Sequence, residues 1–356
     1  MTPVAWNVIS PNIIDIQSNV PLAPLTTLKV GGPARFFVRA RSEAAIVDAF
    51  RQAQRSGLEI FVLGGGSNIL VADAGFEGMV IQVALEGLEW NGERLRVQAG
   101  EDWDRTVAIS VERGFAGLEC LSGIPGFVGG TPVQNVGAYG QDVSETITAV
   151  RCFDRSKDEV VELSNAECGF TYRRSIFNSV ARERYVVLSV EYELRPGGGA
   201  NIEYRDLQAR FGDDRPSLED VRRAVLDIRR SKSMVIDASD PNSRSAGSFF
   251  KNPVVDADKV DEIAERAGVE SVPTFAAGEG KAKAKVPAAW LIEQTGFHKG
   301  YRLGNAGIST NHSLAIVNLG SASSAEIVAL MEAIRGGVQS KFDVPLEPEP
   351  VFVGFE

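Results

Sequence analysis

Histidine is almost absent: the 356 residues contain two, His298 and His312. That scarcity nearly excludes a histidine-rich metal centre, and a Ser-His-Asp triad would have to use one of the pair without the G-x-S-x-G elbow that usually accompanies it. Proton transfer then falls mainly to Ser, Tyr, Lys, Glu or Asp. Cysteine is also scarce. Cys120, Cys152 and Cys168 show no C-x-x-C spacing and cannot all pair, so neither a disulfide framework nor a structural zinc is expected, and a reducing compartment fits. No apolar run reaches the ~18 residues of a membrane span, and the opening M-T-P-V-A-W-N lacks the basic region and apolar core of a signal peptide. A cytoplasmic chain without membrane contact is the expectation. With a formal net charge of -10, a nucleic-acid surface, which would need clustered Lys and Arg, is not expected either.

What is present is ample core material: 44% of residues are hydrophobic and 24% charged, enough for two or three ordinary domains. Ser42 to Gly57 reads as an amphipathic helix, with Ser42 as N-cap, Ile46, Val47, Phe50 and Ala53 on one face, and Gly57 as its stop. Strands over Glu59 to Leu63 and Met79 to Val83 make the first part of the chain an alternation of α and β elements, and Asp102 to Arg113 is the next helix. Between Val150 and Leu194 the segments Val160 to Leu163 and Tyr185 to Tyr192 predict a more antiparallel subdomain. Pro196 to Gly199 is the clearest loop signal. Beyond it lie a helix capped by Ser217 with Val221, Val225 and Ile228 as its stripe, a second helix over Pro287 to Gln294, a strand over Leu314 to Val317, and a third helix. The last opens with a capping box, Ser323 to Glu326, and continues through Ile327, Leu330, Met331 and Ile334. These imply a separate α+β domain.

Five segments carry chemistry. S-A-G-S-F-F-K-N-P, Ser245 to Pro253, sets a hydroxyl, a cation and an amide beside two aromatic rings, which reads as a site or as a turn with Phe249 and Phe250 as packing. G-G-G-S-N, Gly64 to Asn68, follows an apolar strand, where exposed backbone N–H groups can cradle a phosphate; it is neither a Walker loop nor G-x-G-x-x-G, and a plain turn is its alternative. A second glycine-rich run, G-I-P-G-F-V-G-G-T-P-V-Q-N-V-G-A-Y-G from Gly123 to Gly140, holds too little charge for a solvated loop. Together the two loops could wrap one extended dinucleotide, unless the second is simply a tightly packed buried connection. F-T-Y-R-R-S-I-F, Phe170 to Phe177, places Arg173 among aromatic and hydroxyl groups, where a guanidinium can clamp a carboxylate or else face solvent on a strand. L-E-P-E-P, Leu346 to Pro350, is followed by V-F-V-G-F, which should dock as a strand and could carry one carboxylate into a site.

Taken in chain order, and together with T-T-L-K-V-G-G at Thr26 to Gly32, these segments resemble the UDP-N-acetylenolpyruvoylglucosamine reductase (MurB) family of peptidoglycan synthesis over nearly the whole chain. The resemblance implies an α+β fold: a short N-terminal extension over 1–28, an FAD-binding region of the vanillyl-alcohol-oxidase (PCMH) type in two subdomains over 29–197, and a C-terminal α+β substrate domain over 198–356 whose tail returns to the active site. It further implies that NADPH reduces FAD, that reduced flavin N5 delivers hydride to the enolpyruvyl carbon of UDP-N-acetylglucosamine enolpyruvate, and that a proton completes the lactyl ether of UDP-N-acetylmuramate. Some flavoenzymes of this fold attach FAD through His or Cys, and the FAD region here has no histidine, so dissociable FAD is expected. Three residues match the family's catalytic positions: Arg173 and Glu349 would stabilise the enolate, and Ser248 would protonate it. Gly64, Gly65, Gly66, Ser67, Asn68, Pro125, Gly126, Gly129, Gly130, Asn135, Gly137 and Arg173 match cofactor contacts. Tyr139, Tyr172, Tyr204, Arg229, Lys232, Asn252 and Lys285 match contacts to the nucleotide sugar, Tyr204 resembling the tyrosine that closes over substrate in one subclass. The run K-A-K-A-K, Lys281 to Lys285, also offers Lys283, and Pro350 directly after Glu349 can alter the aim of that carboxylate. A monomer is expected.

Two other readings remain. A flavin oxidase of the same fold would need a His or Tyr base beside the flavin, which Tyr139 or Tyr172 would have to supply. A nucleotide-binding regulatory module without turnover would have lost Arg173, Ser248 or Glu349, and all three are present.

Overall fold

The computed structural model describes residues 14–276 and 282–355; the opening M-T-P-V-A-W-N and Lys281 lie outside that range. The chain divides into two compact units interleaved in sequence. One comprises the described part of Met1–Val20 with Ala34–Gly65 and Glu77–Asp227; the other comprises Pro21–Pro33, Gly66–Phe76 and Ile228–Glu356. No described helix is long and apolar enough to cross a membrane.

The first unit begins with the alternating α and β elements that the sequence predicts. The helix Glu43–Arg55 starts because the Ser42 hydroxyl accepts a hydrogen bond from Ala45 N at 3.1 Å, a cap worth about 1 kcal/mol. Ile46, Ala49, Phe50 and Ala53 are buried on one face, and Gly57 ends the segment at φ 62°. The strands Ile60–Leu63 and Phe76–Val83 run parallel, and the second is buried from Gly78 through Val83, as a central strand covered on both faces requires. Its one polar residue there, Gln82, accepts from Arg39 Nε at 2.8 Å, which offsets the cost of burial. Four strands in all form this sheet, in the order Ile16–Pro21, Pro33–Ala40, Phe76–Val83, Ile60–Leu63.

The antiparallel expectation holds in the same unit. Glu159–Ser164, Ile147–Asp154, Tyr185–Glu193, Arg94–Gln98 and Leu88–Asn91 make a five-stranded sheet whose pairings are all antiparallel. The hairpin Leu88–Asn91 with Arg94–Gln98 was not anticipated, because its charged, half-exposed strands carry little apolar signal. The helix Trp103–Glu112 is capped by Asp102, whose Oδ1 accepts from Arg105 N at 2.8 Å. Trp103 is buried, donates through Nε1 to Leu121 O at 3.2 Å, and joins the core beside Tyr192.

In the second unit the helix Ser324–Phe342 starts from the predicted capping box: Glu326 N donates to Ser323 Oγ at 3.1 Å and Ser323 N to Glu326 Oε2 at 2.9 Å. Its face Ile327, Leu330, Met331, Ile334 and Val338 packs with Leu291, Ile292, Phe249 and Phe250 into one core. The predicted strand at 314–317 is observed two residues later, as Ile316–Asn318. The C-terminal tail docks as expected, Val351–Val353 pairing in parallel with Ile69–Val71.

Candidate active site

The two glycine-rich loops meet in the first unit. A Cβ placed on Gly65 would lie 2.6 Å from Gly126 Cα, so neither backbone could approach the other if Gly65 carried a side chain. Gly126, after Pro125, has φ 122°, a conformation open essentially to glycine alone. Gly129 is pinned in the same way, its virtual Cβ 2.7 Å from Ala99 Cβ. Gly64 and Gly130, in contrast, face open space. Close backbone contact beside two uncovered glycines fits the pyrophosphate of a dinucleotide, which needs N–H donors without side chains in the way. The remaining loop residues belong to the second unit, where Gly66 O accepts from Thr27 N at 3.1 Å and Ser67 O from Thr27 Oγ1 at 3.4 Å.

Asp104 anchors the start of the second loop. Its Oδ1 accepts from Gly123 N at 2.6 Å, while Arg222 grips both carboxylate oxygens at 2.6 and 3.0 Å. Asp104→Asn would replace one of these acceptors by a donor. FAD affinity is expected to fall roughly tenfold, in line with the loss of one charge-assisted bond; fluorescence titration of the apoprotein checks this, and unchanged affinity would contradict the anchoring role.

A strained turn follows the second loop. Gly137–Ala138 pairs with Gln141–Asp142, and the tip residues Tyr139 and Gly140 both have positive φ, 50° and 81°. That is the geometry of a tight two-residue hairpin, in which a tyrosine at the first position is costly. A Cβ on Gly137 would run into the Asp142 carboxylate and come within 3.0 Å of Arg173 Nη1, so a side chain there would displace both groups. Asn135, at φ 44°, donates to Thr171 O at 3.0 Å and accepts from Ser144 N at 3.2 Å. Arg173, at φ 54°, donates through Nη1 to Asn135 O at 3.3 Å and through Nη2 to Gly137 O. Its guanidinium also lies 5.4 Å from the Tyr172 ring centroid and 3.9 Å from Asp142. Tyr139 stacks edge-on against Tyr204, with centroids 5.3 Å apart. Three sequence-predicted residues, Asn135, Tyr139 and Arg173, therefore sit in left-handed backbone within one cluster, at a cost of about 1–2 kcal/mol each.

The second unit brings together Ser248, Glu349 and Asn68. Phe249 and Phe250 are buried, so the sequence alternative of packing holds for the rings, while the half-buried Ser248 lies between Gly247, at φ 80°, and the fixed backbone of Phe249. Glu349 N donates to Phe249 O at 2.9 Å and Phe249 N to Leu314 O at 2.8 Å. Lys251 N donates to Glu347 O at 3.0 Å, so the S-F-F-K and E-P-E segments run side by side. Asn68 closes the group: its Nδ2 donates to Glu349 O at 3.4 Å and its carbonyl accepts from Val351 N at 2.9 Å. Pro350 is thus held between two backbone anchors that fix the chain direction at Glu349.

Arg229 is buried, with Nη2 donating to Met234 O at 2.7 Å. Burial first, then the charges of Lys232, Lys299 and Arg229, push the His312 pKa down to about 4, so this imidazole stays neutral in a cationic corner at ordinary pH. Asn252 commits its Oδ1 to Ala288 N at 2.9 Å, at the start of the helix Ala288–Glu293. Lys285 is half-buried on the strand Lys283–Lys285, where Lys283 is exposed.

All three cysteines are buried and free, and burial raises each thiol pKa, Cys168 to about 12. None is an exposed nucleophile for covalent attachment of a cofactor. Asp104, the buried Glu119 and Gln141, and the half-buried Asn201 escaped the sequence reading. The available signal was an acidic residue within the otherwise apolar A-G-L-E-C-L-S-G-I-P-G.

Comparison with known proteins agrees with this geometry. Residues 34–164 match the FAD binding domain family, and residues 240–353 match the C-terminal domain of UDP-N-acetylenolpyruvoylglucosamine reductase. The UDP-N-acetylenolpyruvoylglucosamine reductase of Thermobifida fusca (strain YX) is 48% identical over 349 residues, which cover 94% of this chain and 97% of that protein. The enzyme of the same name from Streptomyces avermitilis is 43% identical, covering 98% of each chain. The crystal structure of UDP-N-acetylenolpyruvylglucosamine reductase (MurB) from Thermus caldophilus superposes with a TM-score of 0.66 at 26% identity, covering 96% of this chain and all of that one. The fold is α+β with an FAD-binding domain, FAD is the cofactor, and the chain belongs to the UDP-N-acetylenolpyruvoylglucosamine reductase family of oxidoreductases.

Proposed function

We propose that this chain reduces UDP-N-acetylglucosamine enolpyruvate to UDP-N-acetylmuramate, with NADPH as electron donor, as a cytoplasmic monomer in peptidoglycan precursor synthesis. Residues 29–197 form the cofactor region and 198–356 the substrate region. The chemistry that FAD supplies when bound is two-electron hydride transfer to the enolpyruvyl double bond. Gly64, Gly65, Gly126 and Gly130 offer backbone to the pyrophosphate. Hydride addition at one carbon leaves an electron pair delocalised into the substrate carboxylate. Arg173 stabilises that developing charge, and its fixed orientation reduces the reorganisation needed. Ser248 gives its hydroxyl proton to the neighbouring carbon, which completes the lactyl ether, and Glu349 supports the enolate beside it. Tyr139, Tyr172, Tyr204, Arg229, Lys232, Asn252 and Lys285 hold the nucleotide sugar.

The observation that carries this reading is the backbone register of Ser248 with Glu349 through the bond from Glu349 N to Phe249 O, 2.9 Å. It sets a hydroxyl and a carboxyl group on adjacent segments that are far apart in the sequence. The test is turnover by the FAD-loaded protein with NADPH and UDP-N-acetylglucosamine enolpyruvate, with the product identified by mass. One NADPH should be consumed per lactyl ether formed, and FAD-loaded protein without substrate-dependent NADPH oxidation would contradict the proposal. Tyr204→Phe should raise KM for the nucleotide sugar by roughly tenfold, the value of one lost hydrogen bond, with kcat within about twofold; an unchanged KM would remove its hydroxyl from the site.

A further inference from the structure

We infer that Glu119 is a positioning residue that fixes the relative placement of Tyr139 and Tyr204, and through them the affinity for the nucleotide sugar; the inference rests on the function proposed above. Glu119 is fully buried, and its carboxyl group takes its hydrogen bonds from residues other than the two tyrosines. Instead, Oε1 accepts from Gln141 Nε2 at 3.0 Å and from Asn201 N at 2.9 Å, while Oε2 accepts from Gly117 N at 2.7 Å.

Each partner leads to one tyrosine. Gln141 directly follows the tip Tyr139–Gly140, and its own Oε1 accepts from Cys120 N at 3.0 Å, so both ends of the buried amide are held. Asn201 lies three residues before Tyr204, in a stretch without helix or strand that precedes the helix Arg205–Phe211. Its side chain closes the circuit, donating to Gly140 O at 3.2 Å and accepting from Glu203 N at 2.9 Å. The result is a clasp in which one carboxyl group ties the hairpin tip to the irregular segment, with the edge-on tyrosine pair as its outcome.

The clasp has a stringent chemical requirement. Three donors converge on two oxygens, and a glutamine at this position must present an NH₂ group to at least one of them. A buried donor facing a donor loses its bond and keeps the desolvation cost. The strained backbone of Tyr139 makes the hairpin tip responsive to that loss, since φ 50° is a conformation that a tyrosine intrinsically disfavours.

The test measures KM and kcat for UDP-N-acetylglucosamine enolpyruvate in the FAD-loaded variants Glu119→Gln, Tyr204→Ala and the double variant, with thermal melting of each. Glu119→Gln should raise KM about tenfold with kcat changed less than about twofold, and add no further rise in KM once Tyr204 is alanine, because the two changes act on one interaction. A normal KM in Glu119→Gln, or an equal rise in both backgrounds, would overturn the inference and leave the clasp a matter of stability alone. Should Glu119→Gln fail to fold, Asn201→Ala in the same two backgrounds decides the question by the same criteria. A Tyr204→Ala variant with normal KM would overturn both the substrate role of Tyr204 and this inference, whereas additivity on top of a raised KM would overturn only the inference.

Discussion

Ser248→Ala is expected to slow the oxidative half-reaction, measured by mixing reduced enzyme with UDP-N-acetylglucosamine enolpyruvate, by about 10²–10⁴-fold, while NADPH still reduces the bound flavin at close to the normal rate. That range is what positioned proton transfer contributes. A serine hydroxyl is a weak acid, so its competence depends on being held in place, and the structure fixes the backbone directly beside it. Phe249, the next residue, has its N–H and carbonyl both engaged, by Leu314 O at 2.8 Å and Glu349 N at 2.9 Å, and its ring is fully buried. His312 offers no ready substitute as a proton donor: burial first, then nearby cations, push its pKa down to about 4, so it is neutral at ordinary pH. Alanine keeps the backbone register and removes only the proton source. Stopped-flow traces of the two half-reactions separate the outcomes, and equal loss in both halves would contradict a proton-donor role.

Arg173→Lys is expected to lower kcat/KM by about 10²–10³-fold, the cost of losing one preorganised donor to a developing negative charge. Lysine keeps the charge but not the shape. The guanidinium bonds Asn135 O and Gly137 O with two separate nitrogens, and its plane is set by that fork; an ammonium is a point charge on a flexible stem. Because Arg173 also matches a cofactor contact, FAD content must be measured alongside. Near-normal turnover at full FAD occupancy would contradict its assignment to the enolate.

Local features of this protein were more legible in its sequence than its long-range connections. Helix starts were readable because they are local: Ser42, Asp102 and the Ser323–Glu326 box each cap from within a few residues. The glycine-rich loops were readable as places where backbone must come close, and the Gly65–Gly126 approach is such a place. Left-handed backbone at Tyr139 and Arg173 was not readable, since nothing in the residue types announces a conformation they disfavour. The interleaving of the two units was equally hidden. Ile69–Val71 belongs with the second unit because it pairs with Val351–Val353, a partner at the far end of the chain. Buried polar ties such as Glu119 are likewise invisible to hydrophobic periodicity, which treats an acidic residue as surface.

Substrate-dependent reoxidation is the most direct test of the proposed reductase function. The FAD-loaded protein is made anaerobic, NADPH is added until the flavin absorbance bleaches, and UDP-N-acetylglucosamine enolpyruvate follows. The predicted result is recovery of the oxidised flavin spectrum with the nucleotide sugar and without oxygen. Bleaching that reverses only when oxygen is admitted would contradict the reductase function and favour a flavin oxidase on the same fold.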